Sequence, residues 1–182
     1  MTIKFQARGS CGEIWLYDQV GQSFWGDGVT AKSFQKDLAA LGKVTNIDLR
    51  INSPGGDVTE ARAMTAAIVA HTGKVISHID GLAASAATYL ALAGDKVHIT
   101  DGGLFMVHNS WTLAWGNKHE MRSTADLLDK IDGTIANDYA RKTGATAEQI
   151  AAWNAKHDDA GLVFDGDARR VAAGGAAVKL IP

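Results

Sequence analysis

Apolar residues recur along this chain with two periods, and glycines mark the points where one period gives way to the other. The first 25 residues alternate, and Ile14-Trp15-Leu16-Tyr17 predicts a strand between Gly12 and Gly21. Thr30 is placed to cap a helix that runs to about Leu41. Val44 to Asn52 predicts a second strand and Pro54-Gly55-Gly56-Asp57 a turn. Val58 to His71 predicts a helix with Ala61, Met64, Ala67 and Ile68 on one face, ended by Gly73.

The unit then repeats. Lys74 to Ile79 predicts a strand, Asp80-Gly81 a turn and Ala84 to Ala93 a helix; Lys96 to Thr100 and Leu104 to His108 predict two more strands around Asp101-Gly102-Gly103. A long helix follows from about Lys118 to Lys142, with Met121, Ala125, Leu128, Ile131, Ile135 and Tyr139 at helical spacing and Gly144 as its stop. Thr146 with Gln149 forms a capping box for a last helix to about Lys156. From about residue 160 onward the Gly- and Ala-rich tail has no clear period. Strands alternating with helices predict an α/β fold with a largely parallel sheet and right-handed crossovers. The apolar stripe of the long helix has two possible partners, the rest of the domain or another copy of the chain.

Composition narrows this picture. With 182 residues, 46% of them hydrophobic and 21% charged, the chain suits one folded domain over 1–182. A formal net charge of -2 gives no basic surface for nucleic acid or an anionic membrane. Cys11 is the single cysteine, which excludes an internal disulfide and fits a reducing cytoplasm. The first residues lack the apolar core of a signal peptide, and Leu82 to Ala93 is too short and too polar to span a bilayer. A soluble, cytoplasmic protein is expected. No clustered Cys, His and acidic residues suggest a metal, and no cofactor is expected.

Three segments at predicted strand ends carry candidate chemistry, where active sites of open α/β sheets gather. Pro54-Gly55-Gly56 alone reads as a plain turn, but adjacent glycines also let backbone N–H groups face a cleft and stabilise an oxyanion. Ser85 lies among small residues, Gly81-Leu82-Ala83-Ala84-Ser85-Ala86-Ala87, at a predicted helix start, where the Ala86 N–H can face the same oxyanion. This is not the Gly-x-Ser-x-Gly elbow. His108 closes an apolar strand, a setting unlike that of the other five histidines; His71, His119 and His157 read as solvated, and His78 and His98 alternate within strands. A serine hydroxyl needs a base, an imidazole is the usual one near neutral pH, and a carboxylate normally fixes its tautomer. Asp158 and Asp159, just after the last helix, are the candidates for that carboxylate.

Taken together and in order, Asn52-Ser53-Pro54-Gly55-Gly56-Asp57-Val58, then Gly81 to Ala87, then Met106-Val107-His108-Asn109, resemble the three signatures of the Clp protease proteolytic subunit. They are closer still to the Clp-like peptidases of tailed phages and prophages, thought to act in head maturation. Stretches from Trp25 to Ala31, Ala114 to Asn117 and Thr124 to Ile131 add to the resemblance, which covers roughly residues 12 to 157. It implies a fold of repeated β-β-α units shared with the crotonase superfamily, with Ser85 as nucleophile and His108 as general base. It further implies oxyanion donors at Gly55 or Gly56 and at Ala86, and a handle helix over about 118–142 that joins rings, commonly heptameric and often stacked. The implied activity is that of a serine endopeptidase acting on peptides or proteins.

The sequence departs from the family pattern near its end. The family's acidic residue falls at His157, followed by Asp158 and Asp159; spacing favours Asp158, and a one-residue shift favours Asp159. Asn109-Ser110 stands where bacterial subunits commonly have Gln-Pro. Two other readings remain: a catalytically silent ring-forming scaffold, and a crotonase-like acyl-CoA enzyme that would not need the serine–histidine pair. No P-loop motif is present, so unfolding of folded substrates would need a separate ATPase, whereas trimming of capsid or scaffold proteins would not.

Overall fold

The structure, a computed structural model, describes residues 4–22, 28–154 and 162–165. Strands β1 (Lys4–Arg8) and β2 (Cys11–Leu16) form an antiparallel hairpin. Strand β3 (Asn46–Ser53) lies parallel beside β2, and β4 (Lys74–Ala84) parallel beside β3. Two short strands then pair in parallel with successive stretches of β4: β5 (Lys96–Ile99) with Ile76–Ile79, and β6 (Leu104–Val107) with Leu82–Ala84. Strand β7 (Leu162–Asp165) ends the order β1-β2-β3-β4-β6-β7. The expected α/β class and largely parallel sheet are present, with an antiparallel strand at one edge.

Period-two alternation explains which side of the sheet is dry. Ile14, Leu16, Ile47, Leu49, Ile51, Val75 and Ile79 are buried, while Asp48, Arg50, His78 and Asp80 alternate with them on the other face. On that polar face Arg50 and the Tyr17 hydroxyl both bond Asp80, each at 2.6 Å, and His78 reaches Asp48 at 3.0 Å. Helix α3 (Ala87–Ala93) packs on β3, β4 and β5; α2 (Val58–Val69) packs on α3, and α1 (Ala31–Ala40) on α2. The helix faces match the sequence period: Ala61, Met64 and Ile68 of α2 are buried, and Phe34 of α1 is fully buried with its ring edge-on to Phe5. Each large aliphatic side chain so removed from water contributes about 1.5–3 kcal/mol.

The chain divides into two compact units. The first takes the residues up to Met106, with Val163–Asp165; the second begins at Val107 and holds α4 (Lys118–Thr143) packed on α5 (Ala147–Asn154). Helix α4 starts at a capping box of Asn117 and Glu120, carries Arg141 and Lys142 in its last turn, and ends at Gly144 in the left-handed conformation. Helix α5 starts at the predicted box, Thr146 N–H donating to Gln149 Oε1 and Gln149 N–H to Thr146 Oγ1. Of the α4 stripe only Ile135 and Tyr139 are buried; Met121, Leu128 and Ile131 are half-buried and Ala125 is exposed. Among the described residues, no helix is long and apolar enough to cross a membrane.

Three local expectations are corrected. Asp80-Gly81 is not a turn: β4 runs through it to Ala84, because β6 pairs with the far half of the strand and Asp80 is anchored by Tyr17 and Arg50. The following helix therefore starts at Ala87 rather than Ala84. His71, expected in solvent, is half-buried, with Nε2 enclosed at the end of α2.

Candidate active site

The extension of β4 decides how Ser85 is presented. Pairing holds the backbone straight through Ala84, where Ala84 faces Met106, and the Ser85 N–H then donates to the Met106 carbonyl at 2.9 Å. The chain must next turn into α3, and Ser85 takes up the whole turn. Its φ is +51°, the one positive φ on a non-glycine residue among the described residues. Such a conformation costs about 1–3 kcal/mol and persists where surrounding contacts over-determine it. Here those contacts are the Met106 bond before the turn and, after it, the Thr88 N–H and hydroxyl, which donate to the Ser85 carbonyl at 3.0 and 2.5 Å. Ser85 itself is half-buried, whereas Ala84, Ala86 and Ala87 are buried. The serine thus stands at a sharp strand-to-helix bend rather than inside a helix start.

The glycine turn meets that bend directly. β3 loses its regular register between Ile51 and Ser53, and Ser53 pairs with Ala83. The chain then passes Pro54 into Gly55, which is buried with φ +90°. A Cβ on Gly55 would lie 2.4 Å from the Ala84 carbonyl oxygen, 2.8 Å from the Ala86 nitrogen and 2.8 Å from Ser85 Cβ. Only glycine lets the two turns touch. Gly56, φ +143°, is held from the other side, where a Cβ would fall 2.0 Å from the Val20 carbonyl oxygen.

Hydrogen bonds fix the turn and sort its donors. The Val20 N–H donates to the Gly55 carbonyl at 2.8 Å and the Asp57 N–H to the Val20 carbonyl at 2.9 Å. Ser53, wholly buried, donates its hydroxyl to the Asp18 carbonyl at 2.6 Å and accepts the Gly55 N–H at 3.2 Å. Among the described residues, the N–H groups of Gly56 and Ala86 have no acceptor. Asp57 then caps α2, its carboxylate accepting the Thr59 and Glu60 N–H groups at 2.7 and 3.0 Å. Burial pushes its carboxyl up, but the Thr59 side-chain bond and the two backbone bonds outweigh it and hold the group below the usual value.

The first unit thus brings Ser85, Ala86, Gly55 and Gly56 into one place. His108, the expected base, belongs to the second unit, where it follows Val107 and is half-buried. Burial pushes its imidazole below the ordinary histidine value, and the Asp132 carboxylate on α4 pulls in the opposite direction. Asp132 also accepts the Ser110 N–H at 2.7 Å. It was not among the sequence candidates, because on a helix rich in acids its spacing gives no sign of what faces it. Asp158 and Asp159, the sequence candidates for the acid, lie outside the described residues, as does His157.

Known proteins resemble this chain in sequence and in fold. A family model described as Clp protease matches residues 16–160. The chain is 29% identical over 115 residues to an ATP-dependent Clp protease proteolytic subunit-related protein 2, chloroplastic, of Arabidopsis thaliana, covering 62% of this chain and 41% of that protein. It is 29% identical over 117 residues to an ATP-dependent Clp protease proteolytic subunit 1 of Leifsonia xyli, covering 63% of this chain and 59% of the relative. The chain thus spans only about half the length of these two relatives. Among solved structures it is similar to a ClpP1 mutant from Listeria monocytogenes, with a TM-score of 0.67 at 22% identity over 79% of this chain and 78% of that one, a likeness of fold.

Proposed function

The chain belongs to the Clp protease family, and from that premise we propose that it is a serine endopeptidase in which Ser85 is the nucleophile and His108 the general base. The observation that carries the reading is the left-handed backbone of Ser85 at the end of β4, pressed against Gly55. Ordinary packing does not call for a strained serine there, since glycine would serve at lower cost. A nucleophile does, because the bend lifts its side chain out of both the strand and the helix.

In the proposed reaction Ser85 Oγ attacks a peptide carbonyl as His108 takes its proton. The C–N bond of the tetrahedral intermediate breaks, the amine leaves with the proton from His108, and water repeats the sequence to release the acid from the serine ester. The Ala86 N–H and a donor of the Gly55-Gly56 turn would face the oxyanion. Of these two, Gly56 is the better placed, since the Gly55 N–H is already accepted by Ser53.

The substrate class is peptide or protein, and the working form is a ring of copies of this chain, heptameric and stacked as is common in the family. Support for assembly lies in the second unit: Trp111, Leu113 and Trp115 are 72, 82 and 88% exposed, and Leu127 on α4 is 56% exposed. Processing of capsid or scaffold proteins in the cytoplasm of a phage host fits the phage-like signature at Asn109-Ser110. The relatives' names are ATP-dependent, so action with a separate ATPase is the other context.

A fluorophosphonate probe tests the chemistry. Labelling of the intact protein at Ser85, lost in Ser85→Ala and strongly slowed in His108→Ala, is the expected result. A folded protein that is not labelled, or a Ser85→Ala variant that still is, would rule the proposal out.

A further inference from the structure

Glu60 is the third residue of α2, yet its carboxylate does not serve its own helix. It crosses to α1, where it accepts the N–H of Ala31, the first helical residue. We infer that Glu60 is a positioning residue for the proposed oxyanion donor at Gly56, holding the peptide between Gly55 and Gly56 in its working orientation by way of α1 and Val20. The inference rests on the serine-peptidase reading given above.

The local sequence sets this up. A capping residue followed three positions later by glutamate is the pattern of a capping box, in which the acid reaches back to the backbone N–H of the cap. Asp57 does cap α2, but its own N–H is already donated to the Val20 carbonyl at 2.9 Å. Glu60, half-buried, is left to find another donor. A Cβ on Gly21 would stand 2.7 Å from Asp57 Cβ and 3.5 Å from Glu60 Cγ, so glycine there lets the start of α2 lie close against this segment. Helix α1 has no acid in its own first turn, and its Thr30 cap serves the Ser33 N–H. Glu60 therefore supplies both the missing acceptor for Ala31 and the negative charge that a helix start favours.

From Ala31 the tether runs to the site through the backbone. Val29 pairs in parallel with Val20: its N–H donates to the Gln19 carbonyl at 3.0 Å and its carbonyl accepts the Gly21 N–H at 2.7 Å. Both valines are buried. Val20 also pairs in parallel with Gly56, donating its N–H to the Gly55 carbonyl at 2.8 Å and accepting the Asp57 N–H. A trans peptide points its C=O and N–H to opposite sides. With the Gly55 carbonyl turned toward Val20, the Gly56 N–H of the same peptide is turned away from it. Gly55 is the residue pressed against Ser85 and Ala86. Because Asp57 and Glu60 share the first turn of α2, the path closes on itself: Gly56, Val20, Val29, Ala31, Glu60 and Asp57 form one ring of bonds. Loss of the Glu60 bond opens that ring and frees the segment that aims the peptide.

The test uses the full chain with Glu60→Ala, Glu60→Gln and Glu60→Asp, and with Asp95→Ala as a structural control. Asp95 accepts the Val75 N–H at 2.8 Å at the start of β4, the end away from Ser85, so its loss removes a comparable bond and leaves the tether whole. One readout is the rate of fluorophosphonate labelling at Ser85 as a function of probe concentration. The other, which needs no activity, is hydrogen exchange by mass spectrometry in the peptides that contain Val20 and Val29. Glu60→Ala should lower the maximal labelling rate about 10–100-fold with the half-saturating concentration little changed, since the donor acts on the developing oxyanion rather than on the bound probe. It should also speed exchange at Val20 and Val29. Glutamine keeps an acceptor and should stay closest to wild type; aspartate, one methylene shorter, should fall between, and it decides the matter if the alanine variant does not fold. Asp95→Ala should change neither readout. Labelling of Glu60→Ala or Glu60→Asp at the wild-type rate overturns the inference, as does slowing no greater than that of Asp95→Ala or unchanged exchange at Val20. Wild-type protein that is not labelled at Ser85 refutes the peptidase reading instead, and the exchange data still decide whether Glu60 holds the Val20 pairing.

Discussion

Replacing Gly55 with alanine perturbs the proposed site through the backbone alone, and the structure gives the size of the effect. At φ +90° an alanine adopts a left-handed conformation, which costs about 1–2 kcal/mol. Its Cβ would also stand 2.4 Å from the Ala84 carbonyl oxygen, where real Cβ atoms come no closer than 3.0 Å, so one turn must retreat by at least 0.6 Å (3.0 less 2.4). Neither neighbour is a flexible side chain: the atoms met are the backbone of Ala84 and Ala86 and the Cβ of Ser85. Overpacking of this kind costs about 1–3 kcal/mol, giving a total near 2–5 kcal/mol. For a chain of this size that lowers the melting temperature by roughly 4–20 °C. Gly42→Ala is the control, because Gly42 also has positive φ, +71°, but a Cβ there meets nothing within 4 Å. It should show the conformational cost alone, about 1–2 kcal/mol. Any Gly55→Ala protein that folds should label Ser85 about 10–100-fold more slowly, since the clash moves the nucleophile. The assay is calorimetry with timed fluorophosphonate labelling. A Gly55→Ala protein that melts no lower than Gly42→Ala and labels at the wild-type rate would refute the contact between the two turns.

Four further outcomes follow from the same structure. Burial holds His108 below the ordinary histidine value of 6.5 despite Asp132, so the neutral base survives as pH falls through 6.5; labelling should decline only below that, and a half-maximal pH above 6.5 would contradict it. The same depressed value means the unfolded chain binds more protons below 6.5, so the His108 contribution to stability is complete above that pH and is lost as pH falls through the folded-state value, readable as a falling denaturation midpoint. Ser53→Ala leaves the buried Gly55 N–H without its acceptor, and should cost about 1–3 kcal/mol in urea denaturation, with Ser53→Thr closer to wild type; equal stability of wild type and Ser53→Ala would show that this hydroxyl does not hold the turn. Replacing Trp111 and Trp115 together with serine should reduce the particle mass measured by light scattering, and an unchanged mass would remove these residues from the assembly surface.

Much of this protein is local and was legible in its sequence. The apolar period of three to four places α2 and α4, the alternation of the first residues places β2, and Thr30, Gly144 and the Thr146–Gln149 box mark helix ends. Those signals depend on neighbours within about four residues, so a single chain records them. The candidate residues Ser85, Gly55, Gly56 and Ala86 were legible for a different reason, since only small residues permit two backbones to meet. What tertiary structure decided is non-local. That β4 continues past Gly81 depends on β6 pairing with its far half, and the period of β4 carries no mark of that partner. Consequently the left-handed turn falls on Ser85 rather than on a glycine: the Met106 bond and the start of α3 leave one residue in which to reverse direction. Asp132 belongs to the same class. In the sequence it is one acid among several on an exposed helix, and only the fold shows that its carboxylate accepts the Ser110 N–H.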